Sequence, residues 1–124
     1  MPSILIADDE AEVRQFLKTV LQDCGHRVWE ASNGEEAAAQ IHRRKFDLVI
    51  IDLVMPEREG LQMIQALRNE YPALKIIAMS GPFHGVYLDA VLRMAERMGA
   101  NASLPKPLST DTVLERVQRV LDLA

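Results

Sequence analysis

Short apolar runs alternate with longer amphipathic stretches along the chain. The runs that begin near residues 4, 48 and 76 are apolar at every position, which is typical of strands buried on both faces in the middle of a parallel sheet. Residues 27–31 alternate polar and apolar side chains, and the run 102–104 is very short, so both fit the sheet margins. The pattern predicts an α/β fold: a doubly wound, five-stranded parallel sheet with strand order 2-1-3-4-5, covered by helices.

The intervening stretches carry apolar residues at helical spacing. The first helix is predicted from about 11 to 23, and later helices end near residues 43, 70 and 98 and at the end of the chain. Asp9 with Glu12, and Ser32 with Glu35, have the form of capping boxes for the first two helices. Met94 is expected to fill the core from the fourth helix.

Length, charge and composition exclude several classes of function. The 124 residues suit one domain spanning 1–124, without a linker or output domain, and the net charge of -4 argues against direct nucleic-acid binding. No apolar run approaches the roughly 20 residues that cross a bilayer, and no signal segment precedes the first strand, so we expect no membrane association. The lone Cys24 cannot form an internal disulfide and is expected to be a small core residue. These features favour a cytoplasmic location.

Polar chemistry follows the carboxyl ends of four predicted strands. Asp8 and Asp9 follow the first strand, Asp52 the third, Ser80 the fourth and Lys106 the fifth. In an open parallel sheet these ends converge on one crevice, where ligands bind. Taken singly, each residue is more often a helix cap, a turn residue or a solvated charge. Together they predict one site.

The chemistry of this set suggests phosphoryl transfer with a metal ion. Three carboxylates in one crevice repel each other unless a cation lies among them, and oxygen ligands favour Mg²⁺. Asp8 and Asp9 are adjacent and suited to the metal, so Asp52 is the better nucleophile toward a phosphoryl group. Lys106 can supply positive charge, and Ser80 can donate its hydroxyl to the incoming group.

The combined motif resembles the receiver domain of two-component response regulators over essentially the whole chain. The residues that carry the resemblance are Asp8-Asp9, Asp52 with Met55-Pro56 and Gly60, Ser80-Gly81 and Lys106-Pro107. The resemblance implies a flavodoxin-like receiver fold and a cis Lys106–Pro107 bond. It also implies that Asp52 accepts a phosphoryl group from a histidine of a sensor kinase or phosphotransfer protein.

The same resemblance assigns the metal ligands. It implies that Asp9 and Asp52 contact Mg²⁺ directly, that Asp8 acts through water, and that the backbone carbonyl of Val54 completes the protein ligands. These assignments are expectations carried over to the matching positions of this chain.

The chain departs from the family at Ser103, where an aromatic residue is usual. A serine has no comparable apolar surface to bury, so we expect the output to depend on backbone and helix movement near residues 81–98. Leu88 and Leu92 form a second apolar stripe on the fourth helix. This stripe predicts either a partner or homodimer surface or burial under the preceding loop.

The sequence therefore favours a phosphorylation-dependent switch that acts on an unidentified downstream protein or relays the phosphate, and that is not an enzyme toward other substrates. A phosphate-independent interaction module is the alternative. An aspartate-based phosphohydrolase is less favoured, because those families place nucleophile and acid-base partner two residues apart after the first strand, whereas the candidate nucleophile Asp52 follows the third.

Overall fold

The computed structural model describes residues 1–54, 60–81 and 88–123. Its strands are β1 (Ser3–Ala7), β2 (Arg27–Ala31), β3 (Leu48–Asp52), β4 (Ile76–Ser80) and β5 (Ala102–Pro105). Its helices are α1 (Ala11–Asp23), α2 (Gly34–Arg43), α3 (Gly60–Glu70), α4 (Leu88–Met98) and α5 (Thr110–Leu121). The strands form one parallel sheet in the order β2-β1-β3-β4-β5, which confirms the predicted topology.

Two apolar layers enclose the sheet. Alternate residues of the central strands point to opposite faces, so Ile50 packs with α1 and α5 whereas Val49 and Ile51 pack with α2, α3 and α4. Both β3 and β4 are buried at every position. This explains why they are apolar throughout, and it fixes the carboxyl ends of the strands along one edge. No helix in the described ranges is long and apolar enough to cross a membrane.

The first two helix starts differ from the predicted capping boxes. Glu10 occupies the N-cap of α1 and makes no side-chain capping bond. Asn33 caps α2, where its side-chain oxygen accepts the Glu36 N–H at 2.8 Å, while the Glu36 carboxylate accepts the Ser32 N–H at 2.9 Å. The second box therefore lies one residue later than predicted, because Asn33 competes with Ser32 for the cap.

The structure decides between two alternatives for one apolar stripe and overturns two other predictions. Leu92 is only 6% exposed and belongs to the core, and Leu88 is half-buried against the same core, so the stripe fits burial, the second of its two alternatives. Met94, expected in the core, is 47% exposed instead. Cys24 is exposed because it lies in the turn after α1, where Gly25 adopts a φ of 87° and the chain leaves the core.

Some predictions fall outside the described ranges. Met55 and Pro56 of the motif belong to this group, as do residues 82–87 of the expected output region.

Candidate functional site

Four strand ends bring the predicted polar residues to one edge of the sheet. Asp52 and Ser80 are the last residues of β3 and β4, and Asp8 and Lys106 follow β1 and β5. The backbone pairing continues past the strand ends: the Lys106 N–H donates to the Ser80 carbonyl at 2.8 Å, and the Asp8 N–H donates to the Ala31 carbonyl at 3.1 Å. These hydrogen bonds fix the backbone from which the side chains of Asp8 and Lys106 project.

The acids at this edge are buried to an unusual degree for charged groups. Asp8 is 0% and Asp52 3% exposed, and Ser80 is also fully buried. Carboxylates are almost never fully buried unless they are paired. The crevice therefore requires a compensating cation.

Lys106 supplies that positive charge among the described residues. Its ammonium lies 2.7 Å from the Asp8 Oδ2, 3.3 Å from the Asp52 Oδ2 and 3.5 Å from the Glu10 Oε1. The Lys106–Pro107 peptide bond is cis, as the resemblance implied. One ammonium thus joins the carboxylates of two strands that are neighbours in the sheet.

The environment shifts the pKa of Asp52 and of Lys106. Burial, followed by the nearby Asp8 charge, raises the pKa of Asp52 to about 6, although Lys106 and the Val54 N–H oppose the shift. Burial alone would lower the pKa of Lys106, but its hydrogen bond to Asp8 and the charge of Asp52 outweigh burial and raise it. Lys106 therefore stays protonated at neutral pH.

The remaining carboxylate oxygens also have local partners. The Asp52 Oδ1 accepts the Val54 N–H at 3.2 Å, and the Asp8 Oδ1 accepts the Glu10 N–H at 2.8 Å. These bonds orient both carboxylates within the crevice. The Val54 side chain lies at the mouth of the crevice and is 42% exposed.

Gly60 packs closely against Leu53, the residue that follows Asp52. A Cβ at Gly60 would collide with the backbone of Leu53, and the Gly60 N–H donates to the Leu53 carbonyl at 3.3 Å. This close approach requires glycine at the start of α3.

An acidic group with metal-ligand spacing lies at the same edge. Carboxylate oxygens of Asp8, Asp9 and Glu10 lie within 4.8 Å of one another, and Asp9 and Glu10 are exposed. Hard oxygen donors of this kind suit Mg²⁺. Asp52 is linked to the group through Lys106. Glu10 was not among the predicted ligands, although its adjacency to Asp8 and Asp9 was a usable signal.

The Ser80 hydroxyl is buried without a hydrogen-bond partner in the part of the chain that the structure describes. Buried hydroxyls are normally paired, so an unpaired one needs an explanation. Its position at the end of β4, beside Asp52 at the end of β3, makes it available to an incoming ligand oxygen.

Ser103 lies away from this edge, in β5, and links β5 to a neighbouring helix. Its hydroxyl donates to the Glu96 carboxylate of α4 at 2.6 Å, and Arg116 of α5 donates to its carbonyl at 3.3 Å. No pattern in the sequence predicted the Glu96 contact. The position that usually carries an aromatic ring instead carries a polar link between β5 and α4.

Comparisons with known proteins agree with the fold. The family model described as the response regulator receiver domain matches residues 4–118. Response regulator GtcR of Aneurinibacillus migulanus is 37% identical over 96% of this chain and 47% of its own length. Chemotaxis protein CheY of Listeria monocytogenes is 32% identical over 96% of this chain and 98% of its own.

Solved structures show the same likeness. The receiver domain of NtrX from Brucella abortus matches with a TM-score of 0.90 and 28% identity, covering 98% of this chain and 99% of that one. The chain spans only part of several curated relatives: 47% of GtcR and 24% of the Azospirillum brasilense regulator NtrC. The match to the family model extends over nearly all of the sequence, and the chain belongs to the receiver-domain family of response regulators.

Proposed function

We propose that Asp52 is the phosphoacceptor, and that its donor is a phosphohistidine on a sensor kinase or histidine phosphotransfer protein. The observation that supports this most strongly is the combination at one edge of a buried carboxylate, a contacting ammonium and a hydroxyl that has no hydrogen-bond partner among the described residues. The Lys106 ammonium lies 3.3 Å from Asp52, and the Ser80 hydroxyl ends the adjacent strand. Phosphoryl transfer needs these parts, because catalysis rests on positioning and on charge stabilisation.

The proposed transfer makes one bond and breaks one. An Asp52 carboxylate oxygen attacks phosphorus, the phosphorus–nitrogen bond of the donor breaks, and its electron pair returns to the ring nitrogen, so that a donor ring protonated on its other nitrogen leaves as neutral imidazole. With a pKa of about 6, Asp52 is mostly ionised at pH 7.5 and can act as the nucleophile. Lys106 and Ser80 then face the phosphoryl oxygens, one with charge and the other with a hydroxyl proton.

The acidic edge fits a bound Mg²⁺. Asp8, Asp9, Asp52 and the Val54 carbonyl are the proposed ligands, and Glu10 lies near enough to Asp8 and Asp9 to assist. When bound, the ion would neutralise negative charge on the transferring group. The chain's own contribution is to hold the carboxylates in place through the Val54 and Glu10 N–H bonds.

Phosphorylation would then change partner binding or pass the phosphoryl group onward. It adds about 1.5 to 2 negative charges to a crevice where Lys106 now bridges two acids. Lys106 can pair with the phosphoryl group only by weakening those contacts, which gives the two states different local structure. We place this switch in the cytoplasm, with no activity on other substrates. Its downstream target is a separate protein or a second copy of the chain.

The test is incubation with Mg²⁺ and acetyl phosphate, followed by intact-mass measurement of the parent chain and of Asp52→Ala. One phosphoryl group on the parent alone is the expected result. No addition to the parent, with Mg²⁺ binding verified separately, would favour a phosphate-independent module. Turnover of a phosphate ester such as p-nitrophenyl phosphate would instead favour a phosphohydrolase.

A further inference from the structure

A groove opens at the amino-terminal ends of the strands, opposite the acidic site at their carboxyl ends. It has a volume of about 490 Å³ and lies between the α2–β3 and α3–β4 connections. Ile41, Phe46, Pro72 and Leu74 contribute a mostly apolar lining. The volume is within the range of ligand-binding pockets, which are typically lined by apolar groups with a few polar groups at the margin.

The rim of the groove is basic, although the protein as a whole is acidic. Arg43, Arg44 and Lys45 are consecutive and exposed, and all three line the groove. Within residues 1–54, 60–81 and 88–123, none of these side chains forms a salt bridge. Glu70 is the acid on the groove wall. The local charge is therefore positive on a chain of net charge -4.

One of these cations is held in place by aromatic packing. The Arg44 guanidinium lies 4.7 Å from the centroid of the Trp29 ring, and Arg27 lies over the same ring at 5.1 Å. Trp29 packs edge-on against Phe46, which lines the groove, with ring centroids 5.7 Å apart. Stacking of this kind restricts the guanidinium but leaves its N–H groups free to bind a carboxylate.

We propose that this groove binds an acidic segment of a partner protein, anchored by one aromatic side chain. The apolar lining suits the anchor, and charge complementarity selects the flanking residues. Because three cations follow one another along the rim, several spaced carboxylates match them better than a single small anion. The partner's aromatic ring would lie in the groove, and its carboxylates would pair with Arg43, Arg44 and Lys45.

The groove and the phosphoacceptor lie at opposite ends of the same strand. Phe46 precedes the start of β3, and Asp52 is its last residue, so at least about 13 Å of strand separates them. That distance exceeds the Debye length of about 8 Å at physiological salt. A partner bound here would leave the phosphoacceptor edge open, so it could remain attached in both phosphorylation states.

The test uses a fluorescein-labelled peptide with a central tryptophan flanked on each side by three glutamates. Fluorescence anisotropy would measure its affinity for the full chain at physiological salt. We expect saturable binding, with backbone amide shifts in ¹⁵N spectra at residues 42–46 and at Glu70, Tyr71, Ala73 and Leu74. Two control peptides, one with glycine for the tryptophan and one with lysines for the glutamates, should bind at least roughly tenfold more weakly.

Matched variants locate the site. The double variant Arg43→Glu/Lys45→Glu should weaken binding roughly tenfold, whereas Arg93→Glu/Arg97→Glu, with the same charge change on exposed positions of α4, should stay within about twofold. Ala73→Trp, which fills the groove without changing the charge, should also abolish binding. Far-ultraviolet circular dichroism and the urea unfolding midpoint would serve as an independent check that each variant is folded.

Several outcomes would overturn the inference. They are absence of peptide binding, equal binding of the control peptides, amide shifts confined to other residues, or equal losses in both double variants. Displacement of the peptide by an equal concentration of indole-3-acetate would identify a small-molecule pocket instead. None of these results bears on whether Asp52 accepts phosphate.

Discussion

Burial of the Asp52 carboxylate should cost stability that an isosteric neutral residue restores. The side chain is 3% exposed, lies near Asp8 and has a folded-state pKa of about 6, against an ordinary value of 3.8. At 1.36 kcal/mol per pH unit, this difference corresponds to about 3 kcal/mol. Solvent penetration and local relaxation reduce the figure, so we expect Asp52→Asn to be about 1–3 kcal/mol more stable at pH 8.

The sign of the pH dependence follows from proton binding. Between pH 3.8 and about 6 the folded protein holds a proton on Asp52 that the unfolded chain has released, so the parent loses stability as pH rises through this window. Above the window the penalty is complete, and below it the penalty disappears. The stability difference between Asp52→Asn and the parent should therefore shrink at pH 4.5 to about one third of its value at pH 8.

Urea unfolding followed by far-ultraviolet circular dichroism, in EDTA at both pH values, measures this difference. Asp9→Asn is the matched control: Asp9 is an exposed acid at the same edge, so its replacement should change the unfolding free energy by less than about 0.5 kcal/mol. If Asp52→Asn were no more stable than the parent at pH 8, or if the difference were equal at both pH values, the account of the buried carboxylate would be refuted.

Three further substitutions test other parts of the structure by the same urea assay. Lys106→Met should destabilise the protein by about 3–5 kcal/mol, because it leaves two buried carboxylates without their cation; a loss below about 1 kcal/mol would contradict the bridging role. Gly60→Ala should cost about 1–3 kcal/mol through the collision with the Leu53 backbone, and an unchanged midpoint would show that α3 shifts freely. Leu92→Ala should cost about 2–5 kcal/mol, whereas Met94→Ala should cost less than about 1 kcal/mol; the reverse order would restore the predicted orientation of α4.

The strand order and the site edge were predictable because burial controls sequence strongly there. Strands β3 and β4 are buried on both faces, so they carry unbroken apolar runs, and the polar residues Asp52 and Ser80 stand out at their carboxyl ends. Convergence of the polar residues then follows from parallel topology alone. The adjacent acids Asp8 and Asp9 could be predicted for the same reason, because they follow the buried apolar run of β1.

Details that depend on competition between neighbours were not predictable from the pattern. Ser32 and Asn33 are both good caps, and only the backbone geometry selects Asn33. On α4, Leu92 and Met94 are both apolar, and the packing of the helix against the sheet decides which of them is buried. A residue pattern gives the period of a helix but fixes its rotation only approximately.

Long-range polar contacts were also hidden from the sequence. The bridge from Lys106 to Asp8 joins residues 98 positions apart, and its geometry depends on the register of the four strands β1, β3, β4 and β5. The hydrogen bond from Ser103 to Glu96 replaces an apolar feature with a polar one, which no hydrophobic pattern records.

Asp52 alone is proposed to carry the phosphoryl group. Peptide mapping after treatment with acetyl phosphate and Mg²⁺ tests this, with borohydride reduction to convert the aspartyl phosphate into a stable homoserine. We predict homoserine at position 52 and unmodified Asp8, Asp9 and Glu10. Homoserine at one of those three positions, or at none, would contradict the account.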